Sequence, residues 1–214
     1  MKIKVFLVDD HPLVRDGLAA IINQQPDVEV CGEAENAPQA LSAIATVKPD
    51  VVIVDISLAN GSGLDLVKDL KAGCPGLRSL VLSMHDESLY AERSLHAGAR
   101  GYIMKREAAK KVVEGIRAVH AGQLYVSEKI SSLMAEKFAG GRTAVNSPIE
   151  QLSDRELEVF QLLGQGQSTR QISERLHVGF KTVQAYCARI KDKLHLTNAT
   201  ELLTEAIRWN DRKK

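Results

Sequence analysis

Five side chains far apart in the chain suggest one chemistry: Asp9, Asp10, Asp55, Ser83 and Lys105. Each ends or follows a short apolar run. IKVFLV precedes the two acids, VVIVD ends in Asp55, SLVLS ends in Ser83 and GYIM stands just before Lys105. If these runs are neighbouring strands, their carboxyl ends share one edge, which is where open α/β sheets bind ligands. Three carboxylates gathered there repel one another and need a cation to stay ionised at neutral pH. An all-oxygen donor set with room for water suits Mg2+ best, with Mn2+ as a substitute. A lysine and a hydroxyl facing the same point match the oxygens of a phosphoryl group rather than a metal. Such a site can accept a phosphoryl group on one carboxylate, with metal and lysine neutralising charge during an in-line displacement. Taken singly, a strand-end aspartate is usually a loop cap and a lysine a solvated charge. Their joint placement at four strand ends argues against that bland reading.

The elements that must position these groups are legible as two alternating periods. Strands are expected at 3–8, 28–33, 51–55, 79–83 and 101–104, with amphipathic helices at 13–23, 38–47, 64–71, 87–96 and 108–120. VVIVD and SLVLS are nearly all apolar, as parallel strands covered on both faces must be. Strands recur every ~25 residues, the spacing of βα units. The expected fold class is therefore a doubly wound α/β domain with a five-stranded parallel sheet. A flavodoxin-like order 2-1-3-4-5, borrowed from known sheets of this kind, would make strands one and three neighbours and converge their acids. EKISSLMAEKFA, from Glu128 to Ala139, reads as a short helix that Gly140-Gly141 can end, followed by a polar linker up to Pro148. The expected domains are 1–125, a linker with a short helix at 126–147, and 148–214.

The last segment is helical throughout by pattern. Ser153-x-x-Glu156 and Ser168-x-x-Gln171 are capping boxes, and Asn198 stands three before Glu201. They open helices expected at 154–163, 172–176 and 200–209, with a further helix at 181–194. The second and third of the four are separated by the His177-Val178-Gly179 turn, which is helix-turn-helix geometry. In 181–194, Val183, Cys187, Ile190 and Leu194 form one buried stripe. The opposite face presents Lys181, Gln184, Ala185, Ala188, Arg189 and Asp192, with Thr182 at the amino end. On an isolated helix this would be a solvated face. After a supporting helix at this spacing, it is a face that can meet bases and phosphates in a major groove, the small alanines allowing close approach.

Composition narrows the rest. The 214 residues are 44% hydrophobic and 26% charged, enough apolar material for packed cores. No apolar run approaches the roughly 20 residues of a membrane span. The amino-terminal apolar stretch breaks at Asp9-Asp10, too early for a signal-peptide core. Cys31, Cys74 and Cys187 are far apart with no C-x-x-C pair, so a disulfide framework or zinc ribbon is not expected. A soluble, cytoplasmic protein is. Residues 1–126 hold 14 basic and 16 acidic side chains, and residues 148–214 hold 11 and 9. So weak a positive balance predicts modest non-specific nucleic-acid affinity unless two copies act together.

VDDHPLVRDGL (8–18), VVIVDISLANGSGLDL (51–66), VLSMHDE (81–87) and GARGYIMK (98–105) resemble the receiver domains of two-component response regulators, with the NarL/FixJ subfamily nearest. The resemblance spans about residues 3–125, four motifs in order. It implies Asp55 as the phosphoacceptor, loaded by a histidine kinase. Asp10 would bind Mg2+ directly, Asp9 partly through water, and Ser57 through its backbone carbonyl. Lys105 would pair with phosphoryl oxygens, Ser83 would be the switch hydroxyl, and Tyr102 the aromatic that follows it inward. The chain departs from the family at Ala59, where proline is frequent, at Met84, where smaller residues are, and at Arg106, which removes a proline. Met84 is expected to slow phosphoryl entry or loss.

Residues 150–209 resemble the LuxR-type helix-turn-helix that follows such receivers. This implies residues 169–176 as the supporting helix and 181–194 as the reader. The DNA-facing set would be Lys181, Thr182, Gln184, Ala185, Ala188, Arg189 and Lys193. Tyr186, Arg189 and Gly179 replace the common His, Asn and Ser/Thr, so no relative's operator can be carried over. The function expected is a phosphorylation-dependent transcriptional regulator that binds double-stranded DNA as a homodimer, with dimer contacts from the last helix and RNA polymerase as a further candidate partner. Two other readings compete: an interaction switch that does not read DNA, and an aspartyl-nucleophile phosphatase. The phosphatase lacks its usual second acid, because Ser57 stands there. A nucleotide-binding loop fares worse, since Gly61-Ser62-Gly63 has no third glycine and no P-loop occurs.

Overall fold

In a computed structural model of the chain, residues 2–58, 61–139 and 148–211 are described. Ala59 and residues 140–147 of the expected linker lie outside them. The chain divides into two units, Met1–Glu136 and Lys137–Lys214. Among the described residues, no helix is long and apolar enough to cross a membrane.

The first unit alternates strand and helix: β1 (Ile3–Val8), α1 (Pro12–Asn23), β2 (Val28–Ala34), α2 (Ala37–Val47), β3 (Val51–Asp55), β4 (Ser57–Leu58), β5 (Gly61–Ser62), α3 (Gly63–Gly73), β6 (Arg78–Ser83), α4 (Glu87–Ala97), β7 (Gly101–Met104), and α5 (Ala108–His120). The five long strands form one parallel sheet in the order β2-β1-β3-β6-β7, which is 2-1-3-4-5 over those strands. Every residue of β3 is buried, as expected of a central strand covered on both faces. Val5, Leu7, Ile53, Leu80, Leu82 and Ile103 pack on one side against Leu18, Ile22, Val112, Ile116 and Val119 from α1 and α5. β4 and β5 form a two-residue antiparallel hairpin that the sequence did not suggest. Tyr125 adds a further unexpected pairing at the β7 edge. Its carbonyl accepts from Tyr102 N at 2.8 Å, and its N–H donates to Arg100 O at 2.9 Å. The short helix α6 (Glu128–Ala139) has the expected bounds.

The second unit contains a 3-10 turn (Pro148–Gln151) and then α7 (Asp154–Gly164), α8 (Thr169–Arg175), α9 (Phe180–Leu194) and α10 (Ala199–Asp211). Both capping boxes form, Ser153 with Glu156 and Ser168 with Gln171. Asn198 Oδ1 accepts from Glu201 N at 2.9 Å and opens α10. α9 starts one residue earlier than expected, at Phe180. Gly179 caps it without a side-chain hydrogen bond, as glycine must. Leu157, Phe160, Ile172, Val183, Ile190 and Ala206 are fully buried and fix the four helices on one another.

Candidate functional site

The strand order places the ends of β1 and β3 side by side, and with them the acids. Asp9 and Asp55 are both 3% exposed, while Asp10 is half-buried. The Lys105 ammonium bridges the two buried carboxylates, 2.6 Å from Asp9 Oδ2 and 2.7 Å from Asp55 Oδ2. It reaches them from a 3-10 turn (Lys105–Glu107) that directly continues β7. Burial pushes the Asp55 carboxyl up to about 6. Lys105 opposes that shift, Asp9 adds to it, and the Ser57 N–H helps hold the ionised form. For Lys105, burial works against the charge, but Asp55 and Asp9 outweigh it and hold its pKa above the usual lysine value.

Asp9, Asp10, His11 and Asp55 each place a ligand atom within 4.8 Å of the others. Carboxylate oxygens at this spacing could hold a hard divalent cation. His11 was not anticipated. Its Nδ1 stands 2.8 Å from Asp10 Oδ1 and 3.3 Å from Asp9 Oδ1, and its backbone N–H donates to Asp9 Oδ1 at 2.9 Å. A histidine directly after paired acids was the available signal.

Ser83 is fully buried at the end of β6, and Tyr102 is 3% exposed on β7. Both meet a second residue absent from the sequence reading, His85. Its N–H donates to Ser83 Oγ at 3.0 Å, its carbonyl accepts from Tyr102 Oη at 2.7 Å, and its Nε2 lies 2.8 Å from Ser57 Oγ. Its ring also stacks on Tyr90, with centroids 4.6 Å apart. His85 thus ties the Ser83 hydroxyl, Tyr102 and the loop after Asp55 into one network. Burial drives the Tyr102 phenol pKa upward, so this hydroxyl remains a donor. Met84, beside Ser83, is 72% exposed and stands outward at the surface.

Gly63 is the third residue the sequence reading missed. A Cβ there would stand 1.8 Å from the Asp55 carbonyl oxygen, and its N–H donates to Ile56 O at 2.8 Å. The first turn of α3 can lie against the end of β3 only because this residue has no side chain. In the sequence it stands only within Gly61-Ser62-Gly63, a glycine pair too short for a nucleotide loop.

In the second unit, Lys181, Thr182, Gln184, Ala185, Ala188 and Arg189 are all exposed on α9, opposite buried Val183 and Ile190. The Arg189 guanidinium lies 5.9 Å from the Tyr186 ring centroid, a cation–π contact that limits its freedom. Lys193 is placed differently. Its ammonium is 2.6 Å from Glu156 Oε2 and donates to Gln151 O at 3.1 Å, so its charge is engaged within the unit.

Comparison with known proteins agrees with both halves. Residues 5–117 match the response regulator receiver domain, and residues 150–206 match the bacterial regulatory proteins of the luxR family. The chain belongs to the response regulators that join a receiver to a LuxR-type DNA-binding domain. It is 34% identical to the oxygen regulatory protein NreC of Staphylococcus haemolyticus over 96% of this chain and 97% of the relative. It is 30% identical to the transcriptional regulatory protein DegU of Brevibacillus brevis over 97% and 94%. Among solved structures, RcsB from Salmonella enterica serovar Typhimurium, bound to promoter P1flhDC in the presence of the phosphomimetic BeF3-, has 26% identity and a TM-score of 0.63, covering 96% of this chain and 98% of that one. The LuxR-type output domain disfavours both the switch that does not read DNA and the aspartyl-nucleophile phosphatase.

Proposed function

We propose that the first unit accepts a phosphoryl group on Asp55 from a histidine kinase, and that this phosphorylation controls major-groove binding by two copies of the second unit. The observation that carries the reading is the Lys105 ammonium held between two buried carboxylates, 2.7 Å from Asp55 and 2.6 Å from Asp9. Asp55 supplies the attacking oxygen. The Lys105 ammonium, held at the Asp55 carboxylate, would neutralise charge that develops on the incoming group. Asp9, Asp10 and Asp55 would hold Mg2+ or Mn2+, with the Ser57 carbonyl as a further ligand. The cation supplies charge neutralisation for the transferred group. Ser83 and Tyr102 respond through His85, whose N–H and carbonyl join their hydroxyls. Phosphorylation adds charge and acceptor oxygens at one end of that network.

The boundaries we assign are 1–125 for the receiver, 126–147 for the linker and its helix, and 148–214 for the DNA-binding domain. Lys181, Thr182, Gln184, Ala185, Ala188 and Arg189 form the reading face, with Lys181 and Arg189 as its cations. Leu203 and Ile207, one helical turn apart on α10, are 41% and 40% exposed. They supply an apolar strip for a second copy, and pairing raises the affinity of a weakly basic module through effective concentration. The partners are then a kinase, double-stranded DNA and a second copy, all acting in the cytoplasm. Genomic footprinting with and without phosphorylation tests the reading: protection that appears on phosphorylation and is lost in Asp55→Asn supports it, and protection indifferent to both overturns it.

A further inference from the structure

Lys193 carries the resemblance to a DNA-contacting lysine, yet its surroundings assign it other work. It stands in the last turn of α9, beyond buried Ile190. Its ammonium meets the carboxylate of Glu156, a residue only 2% exposed in the first turn of α7. The same Oε2 atom accepts from Ser153 N at 2.8 Å, closing the α7 capping box. The ammonium also donates to the Gln151 carbonyl at the end of the 3-10 turn. One cation therefore fastens the end of α9 to the cap of α7 and to the turn before it.

The geometry makes a double role costly. If the ammonium swung out to a phosphate, Glu156 would be left as a buried carboxylate without its cation. The apolar stripe of α9 keeps that helix on the core, but a stripe of aliphatic side chains fixes rotation about the helix axis only loosely. A charge-assisted hydrogen bond at the helix end is directional. We infer that Lys193 is a positioning residue: through Glu156 it sets the rotation of α9 and hence the direction of Lys181, Gln184, Ala185 and Ala188, and it does not contact DNA. Holding Lys193 through its charge also holds Glu156 ionised, and the Glu156 carboxyl accordingly lies below the usual glutamate range, Lys193 and Ser153 together overcoming its burial.

This inference rests on α9 being the reading helix, and the test separates the two. The full chain is used to recover a duplex from a randomised pool, and affinity for that duplex is then measured across salt concentrations for the parent, Glu156→Gln, Lys193→Gln and Lys193→Arg. Trp209 packs on Phe160 in the same unit, and its emission reports whether each variant is folded at the binding temperature. A phosphate-contacting Lys193 and a positioning Lys193 predict opposite signs for Glu156→Gln. The first gains affinity, because an acid is removed and the lysine freed. The second loses about tenfold or more, the equivalent of one good base contact. Lys193→Gln is expected to lose a similar factor with the salt slope unchanged, and Lys193→Arg to recover most of the binding. Lys193→Gln keeps the Ser153–Glu156 cap, so it serves where Glu156→Gln does not fold.

Tighter binding by Glu156→Gln overturns the inference, as does a fall of about 0.9 in the salt slope for Lys193→Gln. Parental binding by both variants does so too. A parent that recovers no duplex sinks the reading of α9 itself, and this inference with it. A parent that does so while its variants behave as phosphate-contact mutants sinks only the inference.

Discussion

Replacing Asp55 with asparagine should make the metal-free protein more stable at neutral pH, although it removes an ion pair. Asp55 is buried at the end of β3, and its carboxyl is raised from 3.8 to about 6 even with Lys105 at 2.7 Å. The folded chain therefore holds this proton more tightly than the unfolded chain does. At about 1.4 kcal/mol per pH unit, ionised Asp55 costs the fold roughly 3 kcal/mol once the pH is well above 6. The cost vanishes only well below 3.8, by about pH 3, where the carboxyl is protonated in both states, and it develops as the pH rises from there to about 6. Asp55→Asn removes the charge and with it that cost. Urea unfolding of the full chain in EDTA, followed by far-UV circular dichroism across this range, provides the assay. The lone tryptophan, Trp209, belongs to the second unit and would not report on the site. Near-equal stability of parent and variant at about pH 3, rising to a variant advantage of up to roughly 3 kcal/mol near pH 7.5, is the expected result. Excess Mg2+ should shrink that advantage by stabilising the parent preferentially. A variant that is less stable at neutral pH, or an advantage that does not change with pH, would refute the electrostatic reasoning.

Further outcomes follow from single residues. Gly63→Ala would drive a Cβ to within 1.8 Å of the Asp55 carbonyl and should cost at least about 2–3 kcal/mol in urea unfolding. Gly17→Ala, in α1 with nothing within 4 Å of the added carbon, should gain about 0.5–1 kcal/mol in the same measurement. Lys105→Gln leaves two buried carboxylates without their cation. It should destabilise the metal-free chain by about 3–5 kcal/mol at neutral pH, with partial relief as pH falls through the raised Asp55 value, and slow labelling from a small phosphodonor about 100-fold or more. Lys181→Ala and Arg189→Ala should each reduce the salt slope of DNA binding by about 0.9 per lost phosphate contact and leave labelling unchanged.

The sheet and its acids were legible because parallel, doubly covered strands leave a strong mark. VVIVD and SLVLS have too little polarity to be anything but central strands, and the polar residues that end them mark the carboxyl edge. The caps were legible for a similar reason, since Ser153, Ser168 and Asn198 each announce a helix three residues before a Glu or Gln. What escaped was set by contacts between distant segments. His85 is one polar residue in a loop until Ser57, Ser83 and Tyr102 are brought around it. Gly63 is one glycine among fifteen until the backbone of Asp55 closes on it. Tyr125 gives no strand signal by itself, because its pairing is a single bridge to the β7 edge. Lys193 shows the converse: its charge and spacing fit a DNA-facing helix position, and only the packing of α7 on α9 reveals that its ammonium meets the buried Glu156.

Mass-spectrometric mapping of the phosphoryl group after incubation with a small phosphodonor and Mg2+, read alongside DNA affinity in the same samples, tests the central claim most directly. One acyl phosphate on Asp55, dependent on the cation and accompanied by tighter duplex binding, is the predicted result. A phosphoryl group on any other residue, equal labelling of Asp55→Asn, or DNA affinity unmoved by stoichiometric labelling would contradict it.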